Sequence, residues 1–290
     1  MERKFDDVLL CPVCRKSGVS RRENSYICDS CKNIYPDYEG ITTLIQPEER
    51  KEDYGKLLVI EKKNKFRKYE AKWDEVFSSF IDDGEGLFLD FGCGRGRKNW
   101  VEAKGYDYIG LDYYLDYGVN VLANGRNIPI KNNTVSICIS HTVTEHIPNP
   151  WAACDELFRV LKPNGLYVGS TAFLYPFHER SHYNMSHLGV KHMLEQSGFV
   201  VEKIVPWKIS GIEACVRVLF CGRVLKQVAG YFVRFQFDLI MYMRKVGARF
   251  LALFYSNNPA KSKRISQFIE EEPLRFTSGF TFVARKPNEV

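Results

Sequence analysis

The sequence predicts an α/β protein in which a mostly parallel sheet, flanked by helices, follows a small cysteine-bound module. Three observations predict this. The apolar run Leu87-Phe88-Leu89-Asp90-Phe91 opens directly into Gly92-Cys93-Gly94-Arg95-Gly96 and a helix starting near Arg97, the strand, glycine turn and helix of a parallel unit. Two Cys-x-x-Cys pairs, Cys11/Cys14 and Cys28/Cys31, stand ahead of it. A chain of 290 residues, 45% hydrophobic and 26% charged, is long enough for one large core with an accessory module and too apolar for disorder.

Met1 to Leu10 mixes charges and ends in only a short apolar stretch, so it does not read as a secretory leader, and the cytoplasm is the expected compartment. Nine cysteines are too sparse for a disulfide scaffold at this length. The two pairs are separated by thirteen residues, a spacing that lets two knuckles fold back and present four thiolates tetrahedrally to Zn²⁺. A redox dithiol or two disulfides is the alternative, although no strand-to-helix redox turn surrounds these cysteines. A module of about forty residues buries little apolar surface, so the metal would carry much of its folding free energy. Residues 1–47 are assigned to this zinc ribbon. Residues 48–80 read as a charged connector and a first helix, because Leu57, Leu58, Ile60, Phe66, Tyr69, Trp73 and Phe77 recur at near-helical spacing. The main domain takes 81–290.

The glycine turn is shaped to hold a ligand, since a Cβ there would block both the tight bend and close approach of the backbone. A nicotinamide-dinucleotide fingerprint would need glycine at 97, where the chain has Arg97. A second strand, Tyr108 to Leu111, ends in Asp112, twenty-two residues after Asp90, where a carboxylate can take both ribose hydroxyls of an adenosine cofactor.

The pattern Asp90-x-Gly92-x-Gly94-x-Gly96, the acidic end of the next strand, Asn124-Gly125-Arg126-Asn127-Ile128-Pro129, Ser140 to His146 and Glu156-Leu157-Phe158-Arg159-Val160-Leu161-Lys162-Pro163-Asn164-Gly165 together resemble the class I methyltransferases, and within them the type-11 subgroup. The resemblance runs from about Phe88 to Phe199. It implies a Rossmann-like methyltransferase fold, a seven-stranded sheet with an antiparallel last strand, and S-adenosylmethionine as cofactor. It also implies that Gly92, Gly94 and Gly96 wrap the methionine moiety, Asp90 orients its amino group, Asp112 binds the ribose, and Tyr113 and Ile128 cover the adenine. Cys93, Asn127 and His141 complete the cofactor-binding set. The family usually carries Asp where this chain has Asn124, and an acid where it has Ser136. The segment Leu9 to Ile45 resembles the zinc-ribbon partners of tRNA and protein methyltransferases, which suggests stabilisation or docking rather than chemistry.

Direct methyl displacement from a sulfonium depends on alignment, and an alcohol nucleophile also gains from a general base. Glu145-His146 beyond the fourth strand is one place for such a base. The loop Tyr175 to Tyr183 after the fifth strand, Leu166 to Thr171, is the other. Strand carboxyl ends are where open α/β sheets bind ligands. By resemblance His178 and His182 face substrate, so His146, His178 and His182 are the catalytic candidates. A second metal site among the histidines is disfavoured, because no carboxylate pair completes a ligand set. Asp155 and Glu156 read as a solvated helix face.

Val200 to Val205 reads as the sixth strand and Phe276 to Arg285 as the seventh. A helical insertion at about 208–272 separates them. It is amphipathic and basic, with eleven Lys or Arg between Lys208 and Gln267 against Glu213 and Asp238. No stretch reaches the roughly 18 uncharged apolar residues that span a bilayer. Three uses stay open, namely a lid over the cleft, a homodimer interface, or peripheral contact with the inner membrane face through 208–267, and the lid is favoured. The preferred reading is a methyltransferase of a small-molecule, saccharide or lipid-linked saccharide acceptor. The alternatives are an rRNA or tRNA base methyltransferase and a non-catalytic cofactor-binding partner protein.

Overall fold

The structure, a computed structural model, describes residues 5–38, 40–45, 76–114, 116–175, 180–207 and 223–288. Most of the sequence-predicted connector and the first residues of the insertion lie outside these. By its internal contacts the chain divides into two units: Met1–Gly169 with Lys191–Lys203 and Val283–Val290, and Ser170–Val190 with Ile204–Phe282.

In the first unit, β1 (Val19–Arg22), β2 (Ser25–Cys28), β3 (Ile34–Tyr38) and β4 (Ile41–Leu44) form an antiparallel meander. Next come β5 (Leu87–Phe91), α1 (Lys98–Ala103), β6 (Asp107–Asp112), β7 (Val121–Ala123), β8 (Val135–His141), α2 (Pro150–Val160) and β9 (Leu161–Ala172). They are followed by α3 (His187–Gln196), β10 (Val200–Pro206), α4 (Arg223–Phe254), α5 (Pro259–Arg275) and β11 (Gly279–Arg285). The strands make one eleven-stranded sheet in the order β1-β2-β3-β4-β7-β6-β5-β8-β9-β11-β10. Its last seven members are the expected seven-stranded Rossmann-like sheet. β5 runs parallel to both β6 and β8. β11 is antiparallel to β9: Asn164 N–H donates to Lys286 O at 2.9 Å and Lys286 N–H to Gly165 O at 3.0 Å.

The central strand β5 is buried throughout, as a strand covered on both faces must be. Phe88, Ile137, Ile139, Val168 and Val283 pack with Phe77, Val101 and Tyr108 in its core. Helix α2 starts where Asn149 Oδ1 accepts from Ala152 N–H at 3.2 Å with Pro150 following, a cap and a proline each suited to a helix start. The other end of α2 is met by Lys286, whose buried Nζ donates to Phe158 O and Leu161 O, both at 2.9 Å, and to Asn133 Oδ1. A cation there offsets the negative end of the helix dipole.

The N-terminal module joins the main sheet, because β4 pairs in parallel with β7. One difference from the sequence reading has a clear cause. Glu156 is buried, not on a solvated face, because guanidinium groups of Arg159 and Arg15 neutralise it. In the second unit, residues 223–254 of the sequence-predicted insertion form a single 32-residue helix, α4.

Candidate functional site

The site begins at the carboxyl end of β5. The turn Gly92–Gly96 folds onto the tip of β6, with the amides of Gly92 and Cys93 donating to Leu111 O at 2.8 and 3.1 Å. Gly92, Gly94 and Gly96 all have positive φ, at 66°, 49° and 74°. Their surroundings differ in a telling way. A Cβ at Gly92 would run into Val143, and one at Gly96 would meet Gly118 Cα at 2.5 Å and the Tyr108 hydroxyl at 2.6 Å. A Cβ at Gly94 would find its nearest neighbour, Asp116 Oδ2, 4.0 Å away. The outer two glycines are thus required by the protein's own packing, and the central one leaves open space.

Asp112, at the tip of β6, is tied to the turn through the Gly94 amide. Its Oδ2 accepts from Gly94 N–H and its Oδ1 from Tyr114 N–H, both at 2.9 Å. Burial raises its pKa against the pull of these amides. Tyr113 follows, half-buried, with its ring edge-on to Tyr114.

Asp90 faces inward. It is completely buried, accepts from Arg97 Nη1 at 3.0 Å and from the Tyr108 hydroxyl at 3.3 Å, and is pushed up to about 6 by burial despite the Arg97 charge. Here it braces the turn from below, since Arg97 follows Gly96 directly and Tyr108 also donates to Gly118 O at 3.1 Å. Arg97 was visible in the sequence only as a missing glycine. Its pairing with Asp90 depends on a seven-residue return of the chain that periodicity does not reveal.

His141, at the end of β8, packs edge-on to Phe77 at 6.0 Å. Burial, with the Arg97 charge, depresses its pKa to about 3, so the imidazole is neutral at ordinary pH. His146 closes the 3-10 turn Thr144–His146, beside the buried Glu145. His182 lies in the second unit, exposed, with its ring 6.4 Å from Tyr183. His178 lies outside the described residues.

The loop after β7 is held from two directions. Gly125 sits against the Phe91 ring, where a Cβ would come within 2.5 Å. Asn124 Oδ1 accepts from Arg126 N–H at 2.9 Å, which closes its own loop. Asn127 turns to the N-terminal module, donating from Nδ2 to Pro12 O at 2.8 Å and accepting from Arg15 Nη1 at 3.0 Å. Arg15 also reaches Glu156 Oε1 at 2.7 Å, and Glu156 Oε2 accepts from Ile128 N–H at 2.8 Å. Arg159 brackets the same carboxylate and donates to Ile128 O and Ile130 O. These guanidinium groups outweigh burial and lower the Glu156 pKa. The main chain adds Leu10 N–H to Pro129 O at 2.9 Å and Lys131 N–H to Val8 O at 2.9 Å. Ile41 and Ile45 pack with Cys93, Val119 and Leu122, so the module's last strand also touches the glycine turn.

The four cysteine sulfurs, Cys11, Cys14, Cys28 and Cys31, lie within 4.8 Å of one another. Cys11 and Cys31 are 3.6 Å apart and Cys14 and Cys28 3.5 Å, separations that suit a tetrahedral thiolate site with metal–sulfur bonds of about 2.3 Å. Arg15 and Lys32, each just after a Cys-x-x-Cys, take left-handed backbone at φ 52° and 60°, so the two knuckles are alike. Burial opposes ionisation of Cys28, but hydrogen bonds from Ser17 and from the Cys31 and Ser30 amides bring its pKa down to about 6. The donor set fits a structural Zn²⁺.

A family described as methyltransferase domain, type 11, matches residues 89–169. An uncharacterized methyltransferase of Mycobacterium leprae is 45% identical over 106 residues, 31% of this chain and 39% of that protein. One of Mycobacterium tuberculosis is 46% identical over 71 residues, 23% of this chain and 28% of that protein. The matches therefore span well under half the length of these relatives. Among solved structures, geranyl diphosphate C-methyltransferase from Streptomyces coelicolor is 15% identical with a TM-score of 0.45, covering 75% of this chain and 80% of that one. An S-adenosylmethionine-dependent methyltransferase from Mesorhizobium loti is 14% identical with a TM-score of 0.44, covering 74% and 97%.

Proposed function

We propose that this chain, whose residues 89–169 match the type-11 methyltransferase domain, is an S-adenosylmethionine-dependent methyltransferase acting on a small-molecule, saccharide or lipid-linked saccharide acceptor. The observation that carries the reading is the opening at Gly94, a glycine no neighbouring atom demands, whose amide donates to the Asp112 carboxylate at the tip of β6. When bound, the cofactor supplies an electrophilic methyl group on a sulfonium. In this assignment the main chain of Gly92, Gly94 and Gly96 holds the amino-acid moiety, Asp112 accepts from the ribose hydroxyls, and Tyr113 and Ile128 flank the adenine. Asp90 sets the turn through Arg97 and Tyr108. Neutral His141 adds no positive charge of its own beside a positively charged sulfonium.

On the acceptor side, His146, His178 and His182 are the candidates for a general base, a role worth about 10²–10⁴-fold in rate. Replacing the base with alanine would lower kcat with cofactor affinity unchanged. A Zn²⁺ held by Cys11, Cys14, Cys28 and Cys31 would be structural and take no part in transfer. A lipid-linked or saccharide acceptor is favoured over RNA by the large apolar and basic surface of α4. The test is incubation of the full chain with radiolabelled S-adenosylmethionine and separated lipid, glycan, small-molecule and RNA fractions. Label in lipid, glycan or small-molecule material is expected. Label confined to RNA would overturn the acceptor class, and absence of cofactor binding would overturn the enzyme itself.

A further inference from the structure

Helix α4 is about 48 Å long at 1.5 Å per residue and carries most of its large apolar side chains in the open. Val228, Phe232, Phe235, Leu239, Val246 and Phe250 are all exposed, and Tyr231, Tyr242, Met243, Leu253 and Phe254 widen the same side. At 100° per residue these positions fill a sector about 140° wide. Phe235 is 70% exposed and Leu253 73%. A continuous face of this size on a single helix marks an interaction surface. The remaining circumference carries Arg234, paired with Asp238 at 3.7 Å, Arg244, which lies over the Phe268 and Phe276 rings, exposed Ile240 and Leu251, and Lys245, with Arg249 at the edge of the apolar sector. Between residues 223 and 264 the sequence has nine Lys or Arg and one acid, Asp238.

We propose that α4 docks the protein on the surface of an anionic lipid bilayer, lying in the interfacial plane with its aromatic and aliphatic face inserted. Charge selects this occupant. Two copies of the helix packed face to face would bring Lys245 and Arg249 of each together, with Asp238 the one acid of each helix and already held by Arg234, whereas anionic headgroups complement these cations. Shape agrees, because a sector of this width, half of it Phe and Tyr, exceeds the narrow seam of a paired coil and matches helices that lie in a membrane interface. Among the described residues no helix is long and apolar enough to cross a membrane, which leaves the in-plane arrangement. A cleft of about 430 Å³ between α4 and α5, lined by Gly247, Leu251, Ile265 and Phe268 together with Arg244 and Arg264, offers an acyl chain an apolar slot beside two cations.

The test is co-sedimentation of the full chain with vesicles of phosphatidylcholine alone and of phosphatidylcholine with about one third phosphatidylglycerol. Binding to the anionic vesicles at least about tenfold tighter than to the neutral ones is expected, weakening as salt rises. Phe235→Glu with Phe250→Glu would reduce it by about 30-fold or more. Lys245→Gln with Arg249→Gln would remove most of the preference for anionic lipid, at about fivefold per charge. Circular dichroism and S-adenosylmethionine affinity measured on the same variants separate lost docking from lost folding, and the charge variants carry the test if the glutamates unfold the helix. Equal binding to both vesicle types, or to neither with a stable dimer at micromolar concentration by light scattering, would overturn the proposal and leave the methyltransferase reading untouched.

Discussion

Gly94→Ala separates ligand space from protein packing, because its neighbours Gly92 and Gly96 supply the control. At φ 49° an alanine pays about 1–2 kcal/mol for left-handed backbone, partly offset by the unfolded-state entropy that glycine would otherwise release. No clash is added, since the new methyl would lie 4.0 Å from Asp116 Oδ2. The net loss is about 1 kcal/mol, or roughly 2–4 °C in Tm for a domain of this size. Gly96→Ala has a comparable backbone cost at φ 74° and adds contacts at 2.5 Å to Gly118 Cα and 2.6 Å to the Tyr108 hydroxyl. Overpacking adds about 1–3 kcal/mol, so its Tm falls by roughly 10 °C. Cofactor affinity runs the other way for Gly94→Ala. The methyl fills part of the space the cofactor would occupy beside Gly94, and overpacking there costs about 1–3 kcal/mol, a roughly 5- to 150-fold rise in Kd. Differential scanning fluorimetry without ligand and titration calorimetry with S-adenosylmethionine read the two effects. A Gly94→Ala protein that binds cofactor like the wild type would refute the assignment of that space.

Further outcomes follow from other parts of the site. Asp112→Ala is expected to lose at least about 100-fold in cofactor affinity while retaining the far-ultraviolet dichroism of the wild type; unchanged affinity by calorimetry would refute the ribose assignment. Arg15→Ala removes a 2.7 Å ion pair, but Arg15 is 37% exposed and Arg159 still holds Glu156, so the stability loss is about 1–2 kcal/mol by urea titration. Because the same guanidinium fixes Asn127, chelation of the metal should weaken cofactor binding as well as lower Tm, and equal affinity before and after chelation would show the module to be uncoupled from the loop. His141 has its pKa depressed to about 3 from an ordinary 6.5, so its contribution to stability is fully present above pH 6.5 and is lost as the unfolded chain takes up a proton below it. That amounts to about 2 kcal/mol between pH 7.5 and 5, and denaturant curves of His141→Gln should show a correspondingly shallower loss.

The order of strands around the glycine turn was readable from residues 87–112, because a buried parallel strand, a turn that excludes Cβ and an acid at the next strand tip each leave a local mark. The cysteine pairs were readable for a similar reason, since thiolate geometry fixes their spacing. The partners that set the site were not. Arg97 with Asp90, Lys286 beneath α2, and Arg15 with Asn127 and Glu156 join residues from 7 to 141 positions apart, and no periodicity encodes such returns. Glu156 was misread as a surface acid because its helix places it among charged neighbours. Burial of a carboxylate becomes tolerable only when cations arrive from elsewhere in the chain.

The sequence by itself determined the α/β class, the glycine turn, the acid that faces it and the four thiolates, all of which follow from short-range sterics and ligand chemistry. Only the tertiary structure decided that the N-terminal module extends the main sheet through β4 and β7, that Asp90 braces the turn from within, and that one long helix keeps its apolar side exposed. The reason is physical: burial, ion pairing and edge-strand pairing are set by which distant segments meet, and that is a property of the whole chain rather than of any stretch of it.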